Sequence, residues 1–171
     1  MQKNKNINHL SLASRREFSL NEKATMIDDS IWGNSLNWPD IEYIAQYFDV
    51  YELKPKLTIL NEGSRLTPYM GLILSGKVSI VKTDTIGIKK NIATIGKGRT
   101  FGEMSVIDGL ISSAYVITKT DVMLMVLDKD NFHQLIDNSP GIGNKFLLML
   151  LKLMSSRIRE TSGKLVEYVD V

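Results

Sequence analysis

The sequence predicts a mainly β protein with flanking α-helices: an antiparallel sandwich or barrel followed by a long C-terminal helix. Three observations predict it. From Val50 to Leu127 apolar residues recur with a period of two in short runs, the mark of strands with one face inward. Glycine-containing turns separate the runs, at Asn61-Glu-Gly63, Ser75-Gly76, Asp84-Thr-Ile-Gly87 and Gly96-Lys-Gly98. After Asp128 the spacing changes to the three-and-four pattern of helices and keeps it almost to the end.

Taken in order, residues 1–38 form a polar arm rich in Asn, Ser and Lys, partly ordered by scattered apolar residues such as Leu10, Ile27 and Trp32. Arg15-Arg16 in this arm fits either a contact to an anionic partner or simple solvation. Trp38-Pro39-Asp40 reads as a helix start, and Ile41, Ile44, Ala45 and Phe48 give that helix one apolar face. Strands follow at about 50–53, 57–60, 71–75, 77–83, 88–95, 99–101, 114–119 and 122–128. Val78 and Ile80 alternate with Lys77, Ser79 and Lys82, which predicts one wet face. Val122-Met-Leu-Met-Val-Leu127 is apolar throughout and predicts burial on both faces. Asp128 or Asp130 caps a helix carrying Phe132, Leu135 and Ile136, which Asn138-Ser-Pro-Gly141 stops. The β module with its leading helix spans 39–140, and the last helix, starting near Ile142, spans 141–171.

That helix has two apolar stripes. Ile142, Phe146, Met149, Leu150 and Leu153 suit packing on the β module, while Leu147, Leu151, Met154, Ile158, Thr161, Leu165 and Tyr168 follow heptad spacing. The second stripe predicts a homodimer seam or a surface covered by the N-terminal arm. Gly163 should weaken the helix by about 1 kcal/mol relative to alanine.

Composition excludes several chemistries. The 171 residues include no cysteine, so disulfides, thiolate catalysis and cysteine-held metals are absent, and a reducing, cytoplasmic setting is expected. The net charge of +2 gives no broad positive field for nucleic acid. No run is long and apolar enough to cross a membrane, and no signal-peptide core follows Lys3 and Lys5. His9 and His133 are the only histidines and no strand carries one, so no metal site is expected. No nucleophile sits beside a base, so no catalytic residues are assigned and an enzyme is not expected.

The chemistry concentrates between Gly96 and Val116. A glycine turn leads to Phe101-Gly102-Glu103 and a single helical turn, then Asp108-Gly109 folds the chain back to Ser112 and Ser113. Helix N-termini present unpaired N–H groups and suit anions, glycine permits close approach, and a carboxylate accepts from sugar hydroxyls. The same spacing also fits a plain strand–turn–helix junction.

Phe101-Gly-Glu-Met-Ser-Val-Ile-Asp-Gly109 with Ser113-Ala-Tyr-Val116 resembles the phosphate-binding cassette of cyclic-nucleotide-binding domains, the modules of catabolite-activator regulators, cyclic-nucleotide-dependent kinases and gated channels. Leu72-Ile-Leu-Ser-Gly-Lys-Val-Ser-Ile80 and Val126-Leu-Asp-Lys-Asp-Asn-Phe132 extend the resemblance, which runs from about Ile41 to the C-terminus. It implies an antiparallel double-stranded β-roll, a jelly-roll-like barrel, ahead of the long helix. It implies that Glu103 holds a ribose hydroxyl, that Gly102, Met104, Ser112, Ser113 and Ala114 surround the phosphate, and that Thr161 and Ser162 on the last helix meet the base. The implied ligand is cAMP or cGMP, with a cyclic dinucleotide the less expected alternative.

The resemblance breaks at two places. The family's Pro-Arg, whose arginine clamps the phosphate, is replaced by Ile111-Ser112. A charge-assisted hydrogen bond contributes about 1.5–3 kcal/mol, so its loss should weaken phosphate binding roughly ten- to a hundred-fold or more. Lys97 and Arg99 either reach the phosphate instead or face solvent. Catabolite activators continue beyond this helix into a DNA-reading module, so no direct DNA contact is expected from these residues. Three readings stand: a cyclic-nucleotide sensor acting through a dimer helix (seam Leu147, Leu151, Met154, Ile158 and Leu165), a ligand-free dimeric adaptor for a protein partner, and a transcription regulator lacking its DNA-binding part.

Overall fold

The computed structural model of the chain describes residues 10–65 and 68–166. Short antiparallel strands build two stacked sheets. One contains β1 (Ser14–Arg16), β2 (Asp49–Leu53), β9 (Val122–Asp128), β4 (Tyr69–Ser75) and β7 (Thr100–Phe101), in that order across the sheet. The other contains β3 (Thr58–Leu60), β8 (Tyr115–Thr118), β5 (Lys77–Thr83) and β6 (Lys89–Gly96). Helices α1 (Leu20–Asp28), α2 (Trp38–Ala45), α4 (Lys129–Asn138) and α5 (Pro140–Val166) flank the first sheet, and the short α3 (Glu103–Asp108) follows β7. This is the β-roll with a long final helix.

Strand alternation explains why the five-stranded sheet has no wet central face. In β9, Leu124 and Val126 enter the core between the sheets, whereas Met125 and Leu127 enter the core under the helices. In β4, Tyr69 and Ile73 take the first side, and Met70 and Leu72 the second. A sheet sandwiched between two apolar layers reads as an unbroken apolar run, as expected for residues 122–127. The helical layer closes around Trp32, whose ring meets Phe48 and Phe146 edge-on at 5.7 and 5.4 Å between centroids.

Helix ends follow their caps. Asn37 accepts from the Asp40 amide ahead of Pro39, Asp128 accepts from the Asn131 amide at 2.7 Å, and Pro140 opens α5. Of the two aspartates proposed to start α4, Asp128 is therefore the cap. Lys145 of α5 binds the Asp40 carboxylate at 2.7 Å and ties the helix start to α2.

Two stretches differ from the sequence expectation. The arm contains an edge strand and a capped helix. In β1, Arg15 pairs with Asp49 at 2.6 Å and Arg16 with Glu52 at 3.2 Å, across from β2. Both arginines serve cross-strand ion pairs. Ser19 and Glu22 form a reciprocal capping box that starts α1, and Ala24 and Ile27 of that helix are fully buried. In β5 the alternation is broken: the register shifts between Ile80 and Val81, and Ser79 is buried. The bulge turns Val81 inward, so the wet face predicted from Lys77, Ser79 and Lys82 is not continuous.

The first stripe of α5 packs as expected, with Phe146, Met149 and Leu150 buried and Ile142 and Leu153 half-buried. On the second stripe Leu151, Ile158 and Leu165 are exposed, and Leu147 and Met154 half-buried. Thr161 is exposed. Tyr168 and His9 lie outside the described residues, and His133 is exposed on α4 against the Phe132 ring.

Candidate functional site

A cavity of about 240 Å³ opens between the four-stranded sheet and the loop that carries α3. Ile80, Ala93, Ile95 and Val116 form its sheet wall. Phe101 to Ser105 form the opposite wall, with Ser112, Ser113 and Ala114 at the rim. The lining is mostly apolar, which suits a flat ring or a sugar face rather than a bare ion.

Backbone geometry shapes the α3 wall. Gly102 has φ 78°, the left-handed region that favours glycine, and a Cβ there would collide with the Tyr69 carbonyl oxygen. Side-chain capping is absent at this helix start, so the first amides of α3 stay uncovered beside the cavity. Phe101 approaches the sheet because its strand partner is Gly71, where any Cβ would meet the phenyl ring. The Tyr69 hydroxyl, buried beneath, donates to the Ile59 carbonyl, and burial pushes its pKa well above the ordinary phenol value.

Glu103 is only 3% exposed, yet it faces the cavity. Its cationic partner comes from α5: the Arg157 guanidinium donates to the Glu103 carboxylate. The same guanidinium donates to the Thr100 carbonyl at 2.7 Å and to its hydroxyl at 2.8 Å, and that hydroxyl lies 3.4 Å from the carboxylate. A buried carboxylate needs such compensation, because an isolated charge removed from water is costly. Arg157 thus lines the cavity and fastens α5 to it.

The expected ligand residues divide into two groups. Gly102, Glu103, Met104, Ser112, Ser113 and Ala114 meet around one cavity. Thr161 and Ser162 lie a turn beyond Arg157, exposed and outside the lining of the single chain. Arg157 was missed by the sequence reading. Its signal was position: it extends the buried stripe Phe146–Leu150–Leu153 by another four residues, placing a charge where that stripe faces inward.

No arginine stands at 112. Ile111 is half exposed, and the Ser112 backbone pairs with the β3–β4 turn, accepting from Gly63 N–H at 2.8 Å and donating to the Ser64 carbonyl at 3.4 Å. Lys97 and Arg99 do not line the cavity; Gly98 between them packs toward Ile31 on the helical side. Among the described residues no cluster of His, Cys, Asp and Glu could hold a metal, and no helix is long and apolar enough to cross a membrane.

The sequence profile of the cyclic nucleotide-binding domain matches residues 51–139. The chain belongs to this family. Among curated relatives, the cyclic AMP receptor protein of Thermus thermophilus is 32% identical over 94 residues, covering 55% of this chain and 42% of the relative. A CRP-like cAMP-activated global transcriptional regulator of Mycobacterium tuberculosis is 28% identical over 98 residues, covering 57% of this chain and 42% of the regulator. The matched region therefore spans less than half the length of these two relatives. Among solved structures, a cyclic nucleotide-binding domain from Methylobacillus flagellatus superposes with a TM-score of 0.81 at 27% identity, covering 96% of each chain. The matched range includes the loop that forms the α3 wall.

Proposed function

We propose that this cyclic-nucleotide-binding domain is a non-enzymatic, cytoplasmic regulatory module that senses a cyclic mononucleotide and signals through α5. The observation that carries the reading is the Arg157–Glu103 contact, which joins the ligand cavity to the long helix. A ligand hydroxyl that binds Glu103 changes what Arg157 can bind, and only such differential contact can shift a helix equilibrium. The small cavity favours one nucleotide over a cyclic dinucleotide of about twice the size.

The exposed stripe of Leu151, Ile158 and Leu165 supports a homodimer in which α5 pairs with its twin, since heptad-spaced apolar residues are covered most simply by another copy. In that dimer Thr161 and Ser162 lie on the paired segment of the helix, within the reach of a ligand base.

Titration calorimetry with cAMP, cGMP and a cyclic dinucleotide tests the sensor reading. Saturable heat with one of the mononucleotides is expected, and it should fall at least ten-fold in affinity in Glu103→Ala. No heat with any of them at high micromolar concentration overturns it. One observation favours a second reading: Ser112 stands where the family arginine clamps phosphate, so a domain silent toward nucleotides would act as a ligand-free dimeric adaptor for a protein partner.

A further inference from the structure

A cyclic phosphate entering the cavity meets a charge problem. Arg157 lines the site, but its guanidinium is committed to Glu103 and Thr100, so the pair contributes no net positive charge. The other cations near the cassette are placed elsewhere. Lys129 Nζ lies by Gly109, at the C-terminal end of α3, where a cation complements the helix carbonyls. Lys89 sits over the Tyr115 ring, 3.9 Å from its centroid. Lys97 and Arg99 flank Gly98, which packs toward Ile31 on the helical side of the sheet.

The backbone holds one further cation beside the rim residue Ser112, outside the cavity lining itself. Gly63 and Ser64 bracket Ser112 with two main-chain hydrogen bonds, and the next residue in the turn is Arg65. Its side chain is exposed, and it has no ion pair among the described residues. The adjacent acid, Glu62, accepts from the Thr83 amide at 3.0 Å and forms no ion pair with Arg65. We infer that Arg65, delivered from the β3–β4 turn, supplies the positive charge for an anionic ligand that Ser112 itself lacks, and so sets the preference of the site for phosphate. The inference rests on the sensor reading above. A guanidinium so placed closes over the phosphate from the turn side, while Ser112 adds one neutral hydrogen bond from the cassette side.

The test is calorimetry with cAMP and with cGMP on four proteins: wild type, Arg65→Ala, Ser112→Arg, and Arg65→Ala combined with Ser112→Arg. Arg65→Ala should weaken the mononucleotide that binds wild type about ten- to a hundred-fold, the loss expected for one charge-assisted contact. Adding Ser112→Arg in that background should recover the affinity, because the charge returns from the other side. Unchanged affinity in Arg65→Ala overturns the inference. So does a loss that Ser112→Arg does not recover, since that marks a structural role for the turn. If wild type is silent while Ser112→Arg binds, the cavity reading stands and the Arg65 assignment fails. Silence of both toward cAMP and toward cGMP, run in parallel, overturns the cavity reading itself.

Discussion

Replacing Arg157 by methionine isolates what holds the outer half of α5. Met keeps most of the apolar stem and removes three polar contacts, one to Glu103 and two to Thr100. The carboxylate left behind is 3% exposed and keeps only the Thr100 hydroxyl. Removing one partner of a fully buried ion pair costs about 3–5 kcal/mol, but the Arg157 side chain is 34% exposed, so water reaches the gap and about 2 kcal/mol is the reasonable expectation. For a chain of this length that corresponds to a melting point lower by roughly 4–8 °C. Urea denaturation of Arg157→Met, Glu103→Gln and the double variant gives the coupling directly, expected at about 1–2 kcal/mol. Hydrogen exchange adds a spatial check. Amides beyond Leu153 should exchange faster in Arg157→Met, while those of Phe146 to Leu150, held by the core, should not change. A loss below about 0.5 kcal/mol with zero coupling would refute the claim that this pair fastens the helix.

Further outcomes follow from other contacts. Wild type should sediment as a dimer at micromolar concentration and Leu151→Asp as a monomer; identical behaviour of the two removes the helix seam. Gly102→Ala forces alanine to φ 78° and sets its methyl against the Tyr69 carbonyl, so a stability loss of at least about 1–2 kcal/mol in urea is expected. A near-neutral result would show that the cassette turn relaxes freely. Glu22 is held below the ordinary carboxylate range, chiefly by the Ser19 hydroxyl and then by the Ser19 amide. A lowered folded pKa contributes stability above the unfolded value of about 4.3 and loses it as pH falls through the folded value. Glu22→Gln should flatten the acid limb of stability in that window, and superimposable limbs would contradict the capping-box account.

Much of this architecture is visible in the sequence because burial and periodicity coincide. The strands from Asp49 to Asp128 lie near their expected ranges, since glycine turns mark their ends and their inward faces are apolar. β1 escaped because Ser14-Arg15-Arg16 buries nothing: it is an edge strand held by backbone pairing and charge, and periodicity has nothing to register. The start of α1 was available in Ser19-Leu-Asn-Glu22, a serine followed three residues later by glutamate. At the site, the cassette residues were legible as a local motif, and the structure brings them to one cavity. Arg157 was not, because its meaning depends on Glu103, 54 positions away in the chain. A helix stripe foretells which side faces inward, but not which buried acid waits there.

Arg157 and Ile158 are consecutive, one facing the cavity and the other exposed on the second apolar stripe of α5. Consecutive helical residues point about 100° apart on a rigid cylinder, so neither can turn without the other. If both sites are used, occupancy and self-association share one free energy. Ligand would then change the dimer dissociation constant by the same factor by which dimerisation changes ligand affinity. A dilution series alone, read with and without nucleotide, would measure the coupling between the two.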